Sequence, residues 1–196
     1  MISRSSELLV LAPTKAAADD LVRSLTLKSG GVPGAHRMTL PQVAAALATP
    51  RLAAEQLTSL SPLGSEALAA RAVHRCLNEN ALRYFTPVAS MPGFARALAS
   101  TLSDLRLEGI GASELSAIGE PGPDLAVLLE TYAQELADQA LADLASLFSF
   151  ALETVENASP NERGPRNERG SQSDRGSRNE DGSHYLLRLP LLLRLP

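Results

Sequence analysis

The sequence predicts an α/β fold: a strand-bearing N-terminal unit, a mainly helical region, and a tail unable to build a core. Three observations carry this. Leu and Ala, 35 and 30 of the 196 residues, outnumber the 11 Val and Ile, a mix that favours helices over sheets. Residues 8–12 form one short apolar run ended by Pro13, which fits a buried parallel strand. Beyond residue 156 the composition changes to glycine-bearing polar hexapeptides.

Glu7 to Ala12 is the predicted strand. Thr14 follows at the position of a helix N-cap, and Lys15 to Lys28 reads as a helix with Ala18, Leu21, Val22 and Leu25 on one face. Gly30-Gly31 stops it. Thr39-Leu40-Pro41-Gln42 has capping-box spacing and opens a short alanine-rich helix with Val43 and Leu47 inward. Ser61-Pro62 starts a helix carrying Leu68, Ala72, Val73, Cys76 and Leu77 at helical spacing. Phe94, Leu98, Thr101, Leu102 and Leu105 form a third stripe. Leu125, Leu128, Leu129, Tyr132 and Leu136, then Leu144, Leu147 and Phe148, form a fourth. Three segments are therefore expected: 1–60, a strand–helix unit; 61–156, a helical subdomain; and 157–196, a low-complexity tail.

Charge and cysteine content narrow the function classes. Residues 1–156 carry 11 Lys and Arg against 17 Asp and Glu, a net of −6. Stand-alone nucleic-acid binders usually show a basic face, so any DNA contact must be local or supplied by a larger assembly. The single cysteine, Cys76, excludes an internal disulfide framework and a CxxC zinc site, and on an apolar helix face it reads as core. His36, His74 and His184 have no ligand spacing. No apolar run reaches the ~18 residues of a membrane span, and no signal-peptide core is present, which points to a cytoplasmic chain.

The tail holds four tandem hexapeptides over 161–184 (NERGPR, NERGSQ, SDRGSR, NEDGSH), then YLLRLP and LLLRLP over 185–196. A β-solenoid needs an apolar position in every repeat, and the first four have none, so 157–184 is expected to be disordered. The constant period with an abrupt change of composition suggests an 18-nucleotide repeat read in a shifted frame, and hence a truncated gene. A flexible linker with a leucine-rich end is the alternative.

The most specific signal is Leu8 to Leu25, LLVLAPTKAAADDLVRSL, which resembles motif Ia of the UvrD-like superfamily 1 helicases. In that family a buried strand leads through a T-N-K-A-A type turn into a helix, and the turn touches single-stranded DNA. By this resemblance Thr14 takes the place of the asparagine, Lys15 of the lysine and Ala16-Ala17 of the paired alanines. Ala12 stands where the family sets an aromatic against a base. His36 to Val43 sits where the family starts its T-F-H helix, a second DNA-facing element, with Thr39 matching and Leu40-Pro41 replacing the aromatic and the histidine. Phe94 to Ile110 and Tyr132 to Leu147 resemble the inserted helical subdomain, with Ala142-Asp143-Leu144 replacing most of a D-[FY]-xx-LL turn.

The divergent form is similar to AddB-like helicase–nuclease subunits and PD-(D/E)XK nuclease-family proteins of bacterial double-strand-break repair. The resemblance covers about residues 7–150, the N-terminal part of those longer chains. It implies part of a RecA-like layer with an inserted helical subdomain, a single-stranded DNA contact through Thr14, Lys15 and Thr39, and a partner helicase subunit. ATP and magnesium belong to full-length relatives; this chain has no GxxxxGK[ST] and no D…[DE]xK arrangement, so it is expected to bind no cofactor and to lack helicase and exonuclease catalysis by itself. Two rivals remain: a small all-helical interaction module without a nucleic-acid role, and a nucleotide-dependent enzyme with an unrecognisable phosphate loop.

Overall fold

A computed structural model describes residues 8–30 and 34–158, together with the backbone of Leu186–Leu187. In order these form β1 (Leu8–Leu11), α1 (Lys15–Ser29), β2 (Ala35–Met38), α2 (Leu40–Glu55), β3 (Thr58–Ser59), α3 (Pro62–Asn78), α4 (Phe94–Leu107), α5 (Ala112–Ser116), α6 (Gly122–Asp138), β4 (Leu141–Ala142), α7 (Leu144–Ala158) and β5 (Leu186–Leu187). The described chain is mostly helical with a few short strands. It divides into two compact units, residues 1–46 with 155–196, and residues 47–154.

In the first unit, β1 and β2 are parallel and joined through α1, with Leu8 opposite Ala35 and Leu11 opposite Met38. This is one β-α-β unit: β1 and α1 are the strand and helix that the apolar run and the stripe after it predict, and β2 is a further strand. The strands are at most four residues long and only three join the described sheet, in the order β2-β1-β5. The part of a RecA-like layer that the resemblance implies is not shown among the described residues. Among the described residues of this unit, Leu9, Val10, Ala18 and Ala44 are the buried hydrophobic ones. On the other edge of β1, β5 pairs antiparallel, Leu9 with Leu187 and Val10 with Leu186. The disorder expected over 157–184 lies outside the described residues except at Asn157 and Ala158, which are helical instead because α7 continues through them.

Helix α2 departs from expectation in two ways. It has 16 residues and passes through Pro50, and its deepest side chains are Ala44 and Ala48, with Val43 and Leu47 half-buried. Pro50 has no N–H to give the carbonyl four residues back, that of Ala46. Ala46 is also the last residue before the second unit begins.

The second unit is built around α3, α4 and α6, whose facing stripes make one core that includes Leu68, Val73, Cys76, Leu98, Leu102, Leu128 and Tyr132. Thr101 does not join it: the residue is exposed and its hydroxyl donates to the carbonyl of Ala97 at 3.2 Å. The single stripe expected over 125–148 is two helices. Gln139 and Ala140 end α6, Ala140 with φ of 52°, and the chain then forms β4 before α7 starts. The reason is a long-range pairing invisible to periodicity: β4 lies parallel to β3, Thr58 opposite Leu141 and Ser59 opposite Ala142.

Candidate nucleic-acid interface

Parallel pairing decides where the three predicted contact residues fall. Both strands of the β1–β2 pair end at the same edge, and the N–H of Ala12 donates to the carbonyl of Met38 at 3.3 Å, closing the pair there. Thr14 and Lys15 follow β1 after Ala12 and Pro13, and Thr39 follows β2 directly. The structure thus brings Thr14, Lys15 and Thr39 to the carboxyl edge of one strand pair. Ligands of open α/β sheets bind outside this end of the strands.

Two helices also begin there. Thr14 is the N-cap of α1, with extended backbone (φ −133°, ψ 155°), and its hydroxyl accepts from the N–H of Ala17 at 3.2 Å. At the second start, the N–H of Thr39 donates to Oε1 of Gln42 at 2.9 Å, and the carbonyl of Thr39 accepts from Val43 at 3.1 Å. The capping-box spacing of Thr39 and Gln42 therefore forms the backward half of that motif.

Electrostatically the edge is positive. Neither helix has an acid in its first turn, so the partial positive charge of each N-terminus is left unbalanced. Lys15, exposed and the first residue of α1, adds a full charge. The carboxylate one turn along, Asp19, pairs instead with Arg37 at 3.2 Å, and Asp20 is with Arg23 at 3.5 Å. Among the described residues Lys15 has no ion-pair partner. A cation at the start of a helix opposes the helix dipole, so its presence asks for a reason other than helix stability.

The connection after β1 does not make a nucleotide cradle. Ala12, Pro13 and Thr14 alone separate strand from helix, and Pro13 removes one of the successive N–H groups that a phosphate nest requires. Among the described residues no three His, Cys, Asp or Glu side chains converge as a metal site. His36 lies on β2, and His74 is an exposed helix residue whose Nε2 is 3.1 Å from Nδ2 of Asn78. His184 lies outside the described residues.

In the second unit the structure reveals three buried carboxylates that periodicity did not single out. Asp124, in the first turn of α6, accepts from the N–H groups of Arg83 and Phe85, at 2.9 Å each, and so anchors the loop between α3 and α4. Glu135 pairs with Arg71 at 2.9 Å and Arg75 at 3.6 Å. Asp143 takes a two-pronged contact from Arg106, at 2.5 and 3.2 Å, while accepting from the backbone and hydroxyl of Ser146. Burial alone would push the Asp143 carboxyl up. The Arg106 hydrogen bonds and charge, with those of Ser146, outweigh burial and hold it below the usual carboxylate range.

Asp143 lies in the Ala142-Asp143-Leu144 segment, and its role here is structural: it starts α7 and ties α7 to the end of α4. Cys76 is fully buried, with Sγ 3.3 Å from the Thr131 hydroxyl; burial pushes its thiol up, against a smaller opposite effect of Thr131. It has the setting of a core residue.

Among the described residues no helix is long and apolar enough to cross a membrane. No family model matches the chain, and no curated protein matches it.

Proposed function

We propose that the chain is a non-catalytic helicase-like module, similar to the N-terminal part of AddB-like helicase–nuclease subunits of DNA repair, that touches single-stranded DNA in the cytoplasm. In this reading the β1-α1-β2 unit corresponds to the motif Ia region of a RecA-like layer, and α3 to α7 correspond to the inserted helical subdomain. Thr14, Lys15 and Thr39 hold backbone phosphate, with a partner helicase subunit supplying ATP-driven movement.

One observation carries the reading: Thr39 shares one strand edge with Thr14 and Lys15, where two helices start and a lysine has no ion-pair partner among the described residues. Charge distribution supports it. Residues 1–46 have five Lys and Arg against three Asp and Glu, a net of +2, although the chain as a whole is at −4. Stacking has no place in it, because Ala12 offers no ring.

The test is anisotropy of a labelled single-stranded oligonucleotide at low salt, using the full chain. Wild type is expected to bind weakly, with a salt slope of about −0.7 for one phosphate contact. Lys15→Ala should remove most of this binding. Thr14→Asp keeps an N-cap but sets a negative charge against phosphate, so it should bind less than Thr14→Ser with its helix intact. Equal binding by wild type, Lys15→Ala and Thr14→Asp overturns the assignment.

A further inference from the structure

The second unit differs from the first in charge and in surface shape. Residues 47–154 carry six Arg and no Lys against 13 Asp and Glu, a net of −7. Five of the six arginines, Arg51, Arg71, Arg75, Arg96 and Arg106, are engaged in ion pairs. Little of the unit's positive charge is therefore available to a ligand.

An open cleft of about 450 Å³ lies in this unit, between the turn after α4 and the helices α6 and α7. Leu129, Glu130 and Ala133 of α6 form one wall, and Ala145, Ser149 and Phe150 of α7 form another. Leu129 with Ala133, and Ala145 with Ser149, are each one helical turn apart, so the cleft runs along both helices for about 5.4 Å. The two alanines leave the space that larger side chains would fill.

Among the described residues, the cations around it are already paired: Arg51, whose guanidinium lies 5.7 Å from the centre of the Phe150 ring, pairs with Glu55 and Glu153. Arg106 lines the cleft, but Asp143 holds its guanidinium. Glu130 is exposed and, among the described residues, in no ion pair. The carboxylate of Glu114 accepts from the N–H of Gly111, another lining residue, at 2.8 Å. Exposed Glu108 immediately precedes lining residue Gly109.

We propose that this cleft docks a basic amphipathic helix of a partner protein, with a large apolar side chain in the cleft and Lys or Arg beside Glu130 and Glu114. Helix-in-groove recognition pairs apolar anchors at helical spacing with a groove between helices, and complementary charge selects the partner. A nucleic acid is repelled by the same carboxylates. A second copy of the chain meeting this face symmetrically would set like charges against each other. The proposal does not depend on the DNA contact of the first unit.

The experiment uses the full chain and a fluorescein-labelled helical peptide of Leu and Lys, about 18 residues long so that it holds its helix. Wild type should bind it, while the matching Leu/Glu peptide should not bind. Glu130→Lys is expected to weaken binding about three- to fivefold, the scale of one exposed charge pair. Ala133→Trp, which fills the cleft, should abolish binding with the circular dichroism spectrum unchanged. Asp104→Lys makes the same charge change outside the lining and should leave binding as in wild type. Should Ala133→Trp not fold, the contrast of Glu130→Lys with Asp104→Lys decides alone. Equal losses in those two variants, or none in either, overturn the proposal. So does a dimer, seen by sedimentation of wild type, that Ala133→Trp dissociates.

Discussion

The first unit, around β1 and β2, and the second, around α3, α4 and α6, use the same alanine- and leucine-rich alphabet for opposite ends. Among the described residues the first buries few side chains and leaves Lys15 without an ion-pair partner at a strand edge, and residues 1–46 carry a net of +2. The second, at −7 over residues 47–154, surrounds a continuous core with carboxylates and engages five of its six arginines in ion pairs. The difference teaches that the net acidity of the chain is a poor guide to the charge that each unit carries. The sign is local to each unit, and the potential felt by a ligand depends on which cations are already paired.

The largest expected effect tests whether the second unit's core stands by itself. Leu128 is fully buried in it, and Leu128→Ala removes apolar contacts and leaves a cavity, costing about 3–5 kcal/mol. Hydrogen exchange should then rise across α3, α4 and α6, while the β1–β2 pair keeps its wild-type protection. Val10→Ala, in the first unit, should show the reverse pattern. Loss of protection in both units from either substitution breaks the comparison.

A smaller effect concerns the buried charge that ties α4 to α7. Arg106→Met leaves the Asp143 carboxylate buried without its cation, which costs about 3 kcal/mol. The sign with pH follows from the lowered carboxyl. Its contribution is fully present above the ordinary carboxylate value and is lost as pH falls through the lower value of the folded state. In the variant only the Ser146 hydrogen bonds still oppose burial, so the protonated acid is favoured more than in wild type. The gap in unfolding free energy between wild type and Arg106→Met should therefore be widest near neutral pH and narrow toward pH 3, as read by denaturant melts. A gap independent of pH would mean that Arg106 acts through packing of its stem and not through its charge.

How far these features were legible in the sequence depended on their range. Local chemistry was readable: the Leu8–Leu11 strand from its apolar run, the cap at Thr14 from a hydroxyl set before a helical stripe, the start of α3 from Pro62 in its first turn, and the stop at Gly30, whose φ of 74° suits glycine. The core face of α3 was readable for the same reason, since Leu68, Ala72, Val73 and Cys76 repeat at helical spacing. Features that join distant residues were not. Nothing in the order of residues around Leu141 announces a two-residue strand, because its partner is Thr58–Ser59. Asp143 and Asp124 read as ordinary polar positions until Arg106 and the backbone of Arg83 are brought to them. Of the candidate interface, the residue types were readable from motif resemblance. Their meeting at one edge required the parallel pairing of β1 and β2.

The smallest effect is the most informative about the first unit, because stability and binding should move in opposite directions. Lys15 begins α1, where the helix dipole is positive, and no carboxylate in the described residues pairs with it. Lys15→Glu replaces an unfavourable charge with a favourable one and should stabilise α1 by about 0.3–1 kcal/mol. Slower amide exchange in α1 is the direct measure of that gain. The same change puts a carboxylate where phosphate is proposed to sit, so oligonucleotide anisotropy should fall to background. A residue kept only for helix structure would give a variant better in the first assay and unchanged in the second. Lys15→Ala should lie between wild type and Lys15→Glu in both measurements. If binding instead persists in Lys15→Glu while α1 gains protection, the positive edge is incidental, and the contrast between the two units reduces to charge composition without a function attached.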